Sequence, residues 1–261
     1  MKFNREKLEE IYKEYNRRDL VSPDPLQFLY CYSDPEDREI VALIAAGLAY
    51  GRVAQILKSV QKVLVIMGNS PADFIRETPE GEFRKYFDGF KHRFTTDEDL
   101  ALFLAGAKQA IKNFGSLEEC FRAGCSENDI NITPALTAFA SHLCAKYDKG
   151  MSYLFPSPLK GSACKRPMLF LRWMVRSDDV DPGGWDHVSP DKLIIPLDTH
   201  MHQFALEANF TKRKNANLAT AIEITENFRK INPEDPIKYD FAITRFGIRD
   251  DMHVDNLHAV K

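Results

Sequence analysis

The sequence predicts an all-α fold. Apolar residues recur at helical spacing in successive runs, and Pro and Gly clusters punctuate those runs. One short β-type stretch, Leu193-Ile194-Ile195, stands against many helical ones. The 261 residues suffice for one large core or two smaller ones packed together. At 44% hydrophobic and 28% charged residues, with 18 Phe and 9 Tyr, the bulk of the chain is expected to be ordered.

Arg5 to Arg17 reads as the first helix, stopped ahead of Pro23-Asp24-Pro25. Ser33-Asp34-Pro35-Glu36 is a helix start, because Pro suits the first turn and acids suit the positive end of the dipole. The run from Arg38 to Met67 is apolar on too many sides for a surface helix and predicts one or two core helices, with a break near Gly51. Pro71 to Phe90 reads as a short helix and irregular chain. Thr96 caps the next helix, and Asp99 stands three residues on as in a capping box. Leu100, Phe103, Leu104, Ala107, Ile111 and Phe114 form its apolar stripe, and Gly115 stops it. Further helices are expected over Thr133–Tyr147, from about Cys164 to Met174 or Arg176, from Asp198 onward, over Leu218–Lys230 and over Asp235–Phe246. The stretch from Ser177 to Asp191 reads as a loop.

No apolar run approaches the roughly 20 residues that cross a bilayer; Ile40 to Tyr50 is too short, and Arg52 follows it. The charged N-terminal segment has no secretory apolar core, so a cytoplasmic location is expected. The five cysteines are scattered, and their spacing fits no common zinc or iron–sulfur pattern; no metal or cofactor is expected. A net charge of −3 gives no global attraction to nucleic acid, yet charge is unevenly placed. Lys149, Lys160, Lys165, Arg166, Arg172 and Arg176 occur without an intervening acid, and Lys212-Arg213-Lys214 follows later.

Asp198, in Pro196-Leu197-Asp198-Thr199-His200, can cap a helix by accepting its free first-turn amides. The same geometry keeps a carboxylate ionised where it can stabilise a developing cation or assist proton transfer. Gly161 and the small residues after it allow a tight turn ahead of a helix N-terminus, which suits a phosphate. Lys165 beside that end is either a solvated phosphate contact or, once neutral, a nucleophile toward an aldehyde-like carbon. Arg172 and Arg176 share one helix face, for phosphate or for acids within the protein. Trp173 reads as core; Trp185, beside Gly183-Gly184, reads as an exposed recognition residue.

The segment LIIPLDTHMHQFALEANFTKR resembles the Val-Asp-Thr-His region of helix-hairpin-helix DNA glycosylases, among them endonuclease III and the 8-oxoguanine glycosylases. TENFRKINPEDPIKYDFAITRFGI resembles the helices that follow it, and CKRPMLFLRWMVR resembles an uncharacterised bacterial family related to that superfamily. The resemblance is strongest over residues 160–248. It implies Asp198 as the catalytic carboxylate and Lys165 as the lysine that attacks the sugar after a degenerate hairpin, Leu159-Lys160-Gly161-Ser162-Ala163. It further implies a central subdomain over 35–190 and a second formed by 1–34 with 191–261. The partner would be duplex DNA carrying a damaged base, such as an oxidised purine, bound by a monomer. Lys160, Gly161, Ser162, Arg166, Arg172, Arg176, Trp185, His200, Lys212 and Arg213 would contact that DNA. The four-cysteine cluster of endonuclease III is absent, and Gln203 stands where its relatives carry Arg. A monofunctional glycosylase using Asp198 to activate water, and a DNA-binding protein without catalysis, are the competing readings.

Overall fold

The computed structural model describes residues 3–145 and 153–248. Helices dominate it, and the strand content is a two-residue pair. Helix α1 (Arg5–Tyr15) begins at Asn4, whose side chain accepts the Lys7 amide. A 3₁₀ segment over Pro25–Cys31 is capped by Asp24 and leads to α2 (Pro35–Gly47). Asp34 caps α2 by accepting the Glu36 amide, as the Ser-Asp-Pro-Glu start predicts. The expected break falls at Gly51, whose φ of 95° suits glycine, and α3 (Val53–Met67) follows.

Short helices α4 (Pro71–Glu77) and α5 (Phe83–Tyr86) fill the irregular stretch. A tight hairpin, β1 (Lys91–His92) with β2 (Thr95–Thr96), pairs Lys91 with Thr96 and His92 with Thr95. Helix α6 (Asp97–Phe114) then starts from the Thr96–Asp99 capping box and stops at Gly115. Helices α7 (Leu117–Arg122) and α8 (Thr133–Leu143) pack against α6. Helix α8 ends at Leu143 with Cys144 as its C-cap, short of the expected Tyr147; Tyr147 itself and the basic residue Lys149 lie outside the described residues.

A 3₁₀ turn over Pro158–Lys160 precedes α9 (Lys165–Val175). The stretch Leu193-Ile194-Ile195 is extended and buried but joins no ladder, which corrects the β expectation. Its need for partners is met otherwise: the Ile195 amide donates to Thr225 Oγ1 at 3.0 Å. Helices α10 (Thr199–Glu207), α11 (Leu218–Arg229) and α12 (Asp240–Ile248) complete the described chain.

Helix α2 is buried almost all round and packs on α9, while α12 packs on α1 and α10. Buried side chains from all these helices belong to one continuous hydrophobic cluster. The site described next lies where α9, α10 and α12 meet the segment between α2 and α3.

Candidate active site

Asp198 is the N-cap of α10, and its Oδ1 accepts the Met201 amide at 2.8 Å. The bonded oxygen fixes the carboxylate, which leaves Oδ2 facing Lys165 Nζ at 3.5 Å. Lys165 is the first residue of α9 and is 40% exposed in its side chain, whereas Asp198 is 12% exposed. Both line a cavity of about 190 Å³. Two residues 33 positions apart thus converge on one pocket.

The cavity walls are apolar, formed by Pro23, Pro25, Ala49, Val53, Ile56 and Leu169. Its polar side holds two ion pairs that local sequence reading missed. Arg172 Nη1 donates to Asp240 Oδ2 at 2.6 Å, and Arg245 Nη2 donates to Asp24 Oδ2 at 2.9 Å. Asp240 Oδ1 and Arg245 Nε and Nη1 are buried without a partner in the protein. Burial pushes the Asp240 carboxyl up to about 6, Arg172 pulls it back and the Asp198 charge adds to the rise. A signal for these pairs exists in the sequence: Asp240 and Arg245, one member of each, sit inside the apolar run YDFAITRF, where charges persist only when paired.

His200 lines the same cavity and lies against α12. A Cβ at Gly247 would sit 2.0 Å from His200 Nδ1, so the glycine is what admits the ring. Arg166, next to Lys165, donates to the Gly47 carbonyl at 3.1 Å, and its guanidinium lies 5.0 Å from the Tyr50 ring. Burial lowers its pKa.

Lys160, Gly161 and Ser162 are exposed on the turn ahead of α9, and Gly161 is left-handed at φ 70°. Ser162 bridges to Asn217, which anchors that turn beside α11. Lys212 and Arg213 are exposed too, with Arg213 Nε donating to Glu223 Oε2 at 2.6 Å; neither lines the cavity.

Three expected DNA contacts are corrected. Arg172 and Arg176 are buried and face acids: Arg172 meets Asp181 and Asp240, and Arg176 meets Asp178, Asp181 and Asp235. Although burial disfavours their charges, these carboxylates hold both guanidinia protonated. The acids come from positions outside the basic stretch, so local charge counting misread the pair as a phosphate surface. Trp185 is 3% exposed, and its Nε1 donates to buried Glu39 at 3.1 Å. The flanking glycines signalled a turn, not an exposed ring. Trp173 lies in the core as read.

Among the described residues, no group of three or more His, Cys, Asp or Glu is arranged to hold a metal. Burial pushes the Cys120 thiol up to about 12 and that of Cys164 to about 11, which disfavours the reactive thiolate. No helix among those residues is long and apolar enough to cross a membrane.

A family model described as "Protein of unknown function (DUF2400)" matches residues 24–249. No curated protein matches the chain, and no solved structure does.

Proposed function

As the chain belongs to the DUF2400 family, whose description assigns no activity, we propose a function from the site: a DNA glycosylase with lyase activity on a helix-hairpin-helix-like scaffold. The convergence of Lys165 and Asp198 on one cavity carries this reading. The left-handed Gly161 turn ahead of α9 supports the hairpin, since the exposed Lys160 there suits a backbone phosphate. The damaged nucleotide would turn out of its stack into the cavity.

In the first step Asp198 takes a proton from the Lys165 ammonium. The freed amine attacks the sugar C1′, forming a C–N bond as the glycosidic C–N bond breaks. The departing base leaves with the electron pair and receives the proton held by Asp198. A second proton passes from nitrogen to O4′ as the C1′–O4′ bond opens with its electron pair on oxygen, which gives a protonated Schiff base from which strand cleavage proceeds. Asp198, ionised again, stabilises the cationic sugar.

Borohydride trapping of the protein on lesion-bearing duplexes tests the assignment. The wild type is expected to form a covalent adduct; Lys165→Ala and Asp198→Asn are each expected to lose at least 100-fold in trapping, the scale of general acid–base effects (about 10²–10⁴). The Lys165–Asp198 ion pair favours a second reading, in which the lysine stays charged and Asp198 activates water. Base release without any trapped adduct would establish that reading and sink the nucleophile role. DNA binding without product from any lesion would sink both.

A further inference from the structure

We propose that Phe94 is a stacking platform for one unpaired nucleotide beside the cavity, so that the preferred substrate is DNA locally unpaired next to its damaged nucleotide. The inference rests on the glycosylase reading above for the identity of the ligand and on separate geometry for the surface. Phe94 sits at the tip of the β1–β2 hairpin and is 59% exposed. Arg93, before it, adopts a left-handed φ of 55°, a conformation that disfavours a non-glycine residue. The hairpin therefore holds a strained tip while presenting a large apolar ring to solvent.

The ring is braced from behind. Tyr50 stacks on it, with centroids 5.0 Å apart at 26°, and Tyr153 meets it edge-on at 4.8 Å. Those supports are themselves fixed: Tyr50 donates to the His92 carbonyl at 2.9 Å, and the Tyr153 hydroxyl donates to Asp99 at 3.2 Å. A side chain that intercalates between base pairs needs both faces free. Phe94 has one face stacked on Tyr50 while more than half of the residue stays exposed, which leaves room for a single base and not for two.

The tip adjoins the cavity. A Cβ on Gly51, which lines the cavity, would lie 2.7 Å from Arg93 Cδ, so Arg93 rests directly on that rim. Tyr50 precedes Gly51 and takes Arg166, the neighbour of Lys165, over its ring. Lys91, Arg52 and Arg93 are exposed around the tip and supply positive charge for a strand that tracks past it. Asp99, which accepts the Tyr153 hydroxyl, is buried within the α6 capping box, whereas Asp88 and Glu98 are exposed at the base of the hairpin.

The test uses the full chain and an abasic-site analogue, placed in a fully paired duplex, a bubble and a single strand, with 2-aminopurine as the flanking base. Binding is followed by anisotropy and stacking by 2-aminopurine quenching. The expected result is tighter binding to bubble and single strand than to duplex, with quenching. Phe94→Ala should lose about 5- to 150-fold in affinity for the unpaired forms, and the quenching with it, while Phe94→Trp keeps both. Equal or greater loss on the paired duplex would overturn the platform in favour of intercalation, and no loss anywhere would make Phe94 a bystander. Failure of both base release and borohydride trapping alongside these binding results would remove the glycosylase reading and leave the platform standing. Absence of binding to all three DNAs would overturn both.

Discussion

Glu39 is 3% exposed on α2 and accepts three hydrogen bonds, from the Leu117 and Glu118 amides and from Trp185 Nε1. Burial outweighs those donors and pushes its carboxyl from 4.5 up to about 7. The folded protein therefore keeps a proton that the unfolded chain gives up. Stability on this account is full below about 4.5 and falls as pH rises toward 7. Glu39→Gln cannot titrate, so the unfolding free energy of the wild type should drop relative to the variant across that window and hold steady above it. Urea titrations over the window check this; a difference independent of pH would refute the buried proton. At the same scale, Asp198 was readable as a cap because its partner amide lies three residues on. Trp185 was not, since its partner Glu39 lies 146 residues away.

Among the elements, α6 and α8 meet at Gly106, where an added Cβ would lie 1.9 Å from the Leu143 carbonyl oxygen. Elsewhere in a helix, Gly→Ala gains about 1 kcal/mol from propensity. Here the obstacle is backbone, so the helices must separate, and overpacking of this kind costs about 1–3 kcal/mol. Gly106→Ala should therefore be destabilising by about 1–2 kcal/mol in denaturant titration. A variant as stable as the wild type would mean that α8 yields freely. Long periodic runs and caps made α2, α3, α6 and α11 legible. Helix α7 was missed because six residues show too little periodicity. The hairpin at 91–96 was missed because its two-residue strands carry no alternation and are held from outside, by Tyr50 on the His92 carbonyl.

Across the whole molecule, the buried arginines of α9 join distant parts of the chain: Asp178 and Asp181 in the following loop, Asp235, and Asp240 at the head of α12. Removing one partner from such a network strands the others, at about 3–5 kcal/mol. Arg172→Met should thus lower the unfolding free energy by that order, and Asp240→Asn in the same background should restore part of it. A strictly additive double variant would show that the two charges are not coupled. This network is also where the sequence misled. A basic stretch without acids looked like a surface because its counter-charges arrive only through folding.

That arrangement has a consequence for synthesis. Arg176 leaves the ribosome 64 residues before Asp240, a wait of roughly 3–13 s at about 5–20 residues per second. During it Asp178 and Asp181 already face the two arginines, but the acids that complete their pairing do not yet exist. Asp240 and Arg245 of α12 line the cavity that Lys165 and Asp198 share, so its wall is complete only with α12 in place. A chain interrupted before Asp240 leaves Arg172 without one of its two acids, and is expected to be cleaved faster in limited proteolysis than the full chain.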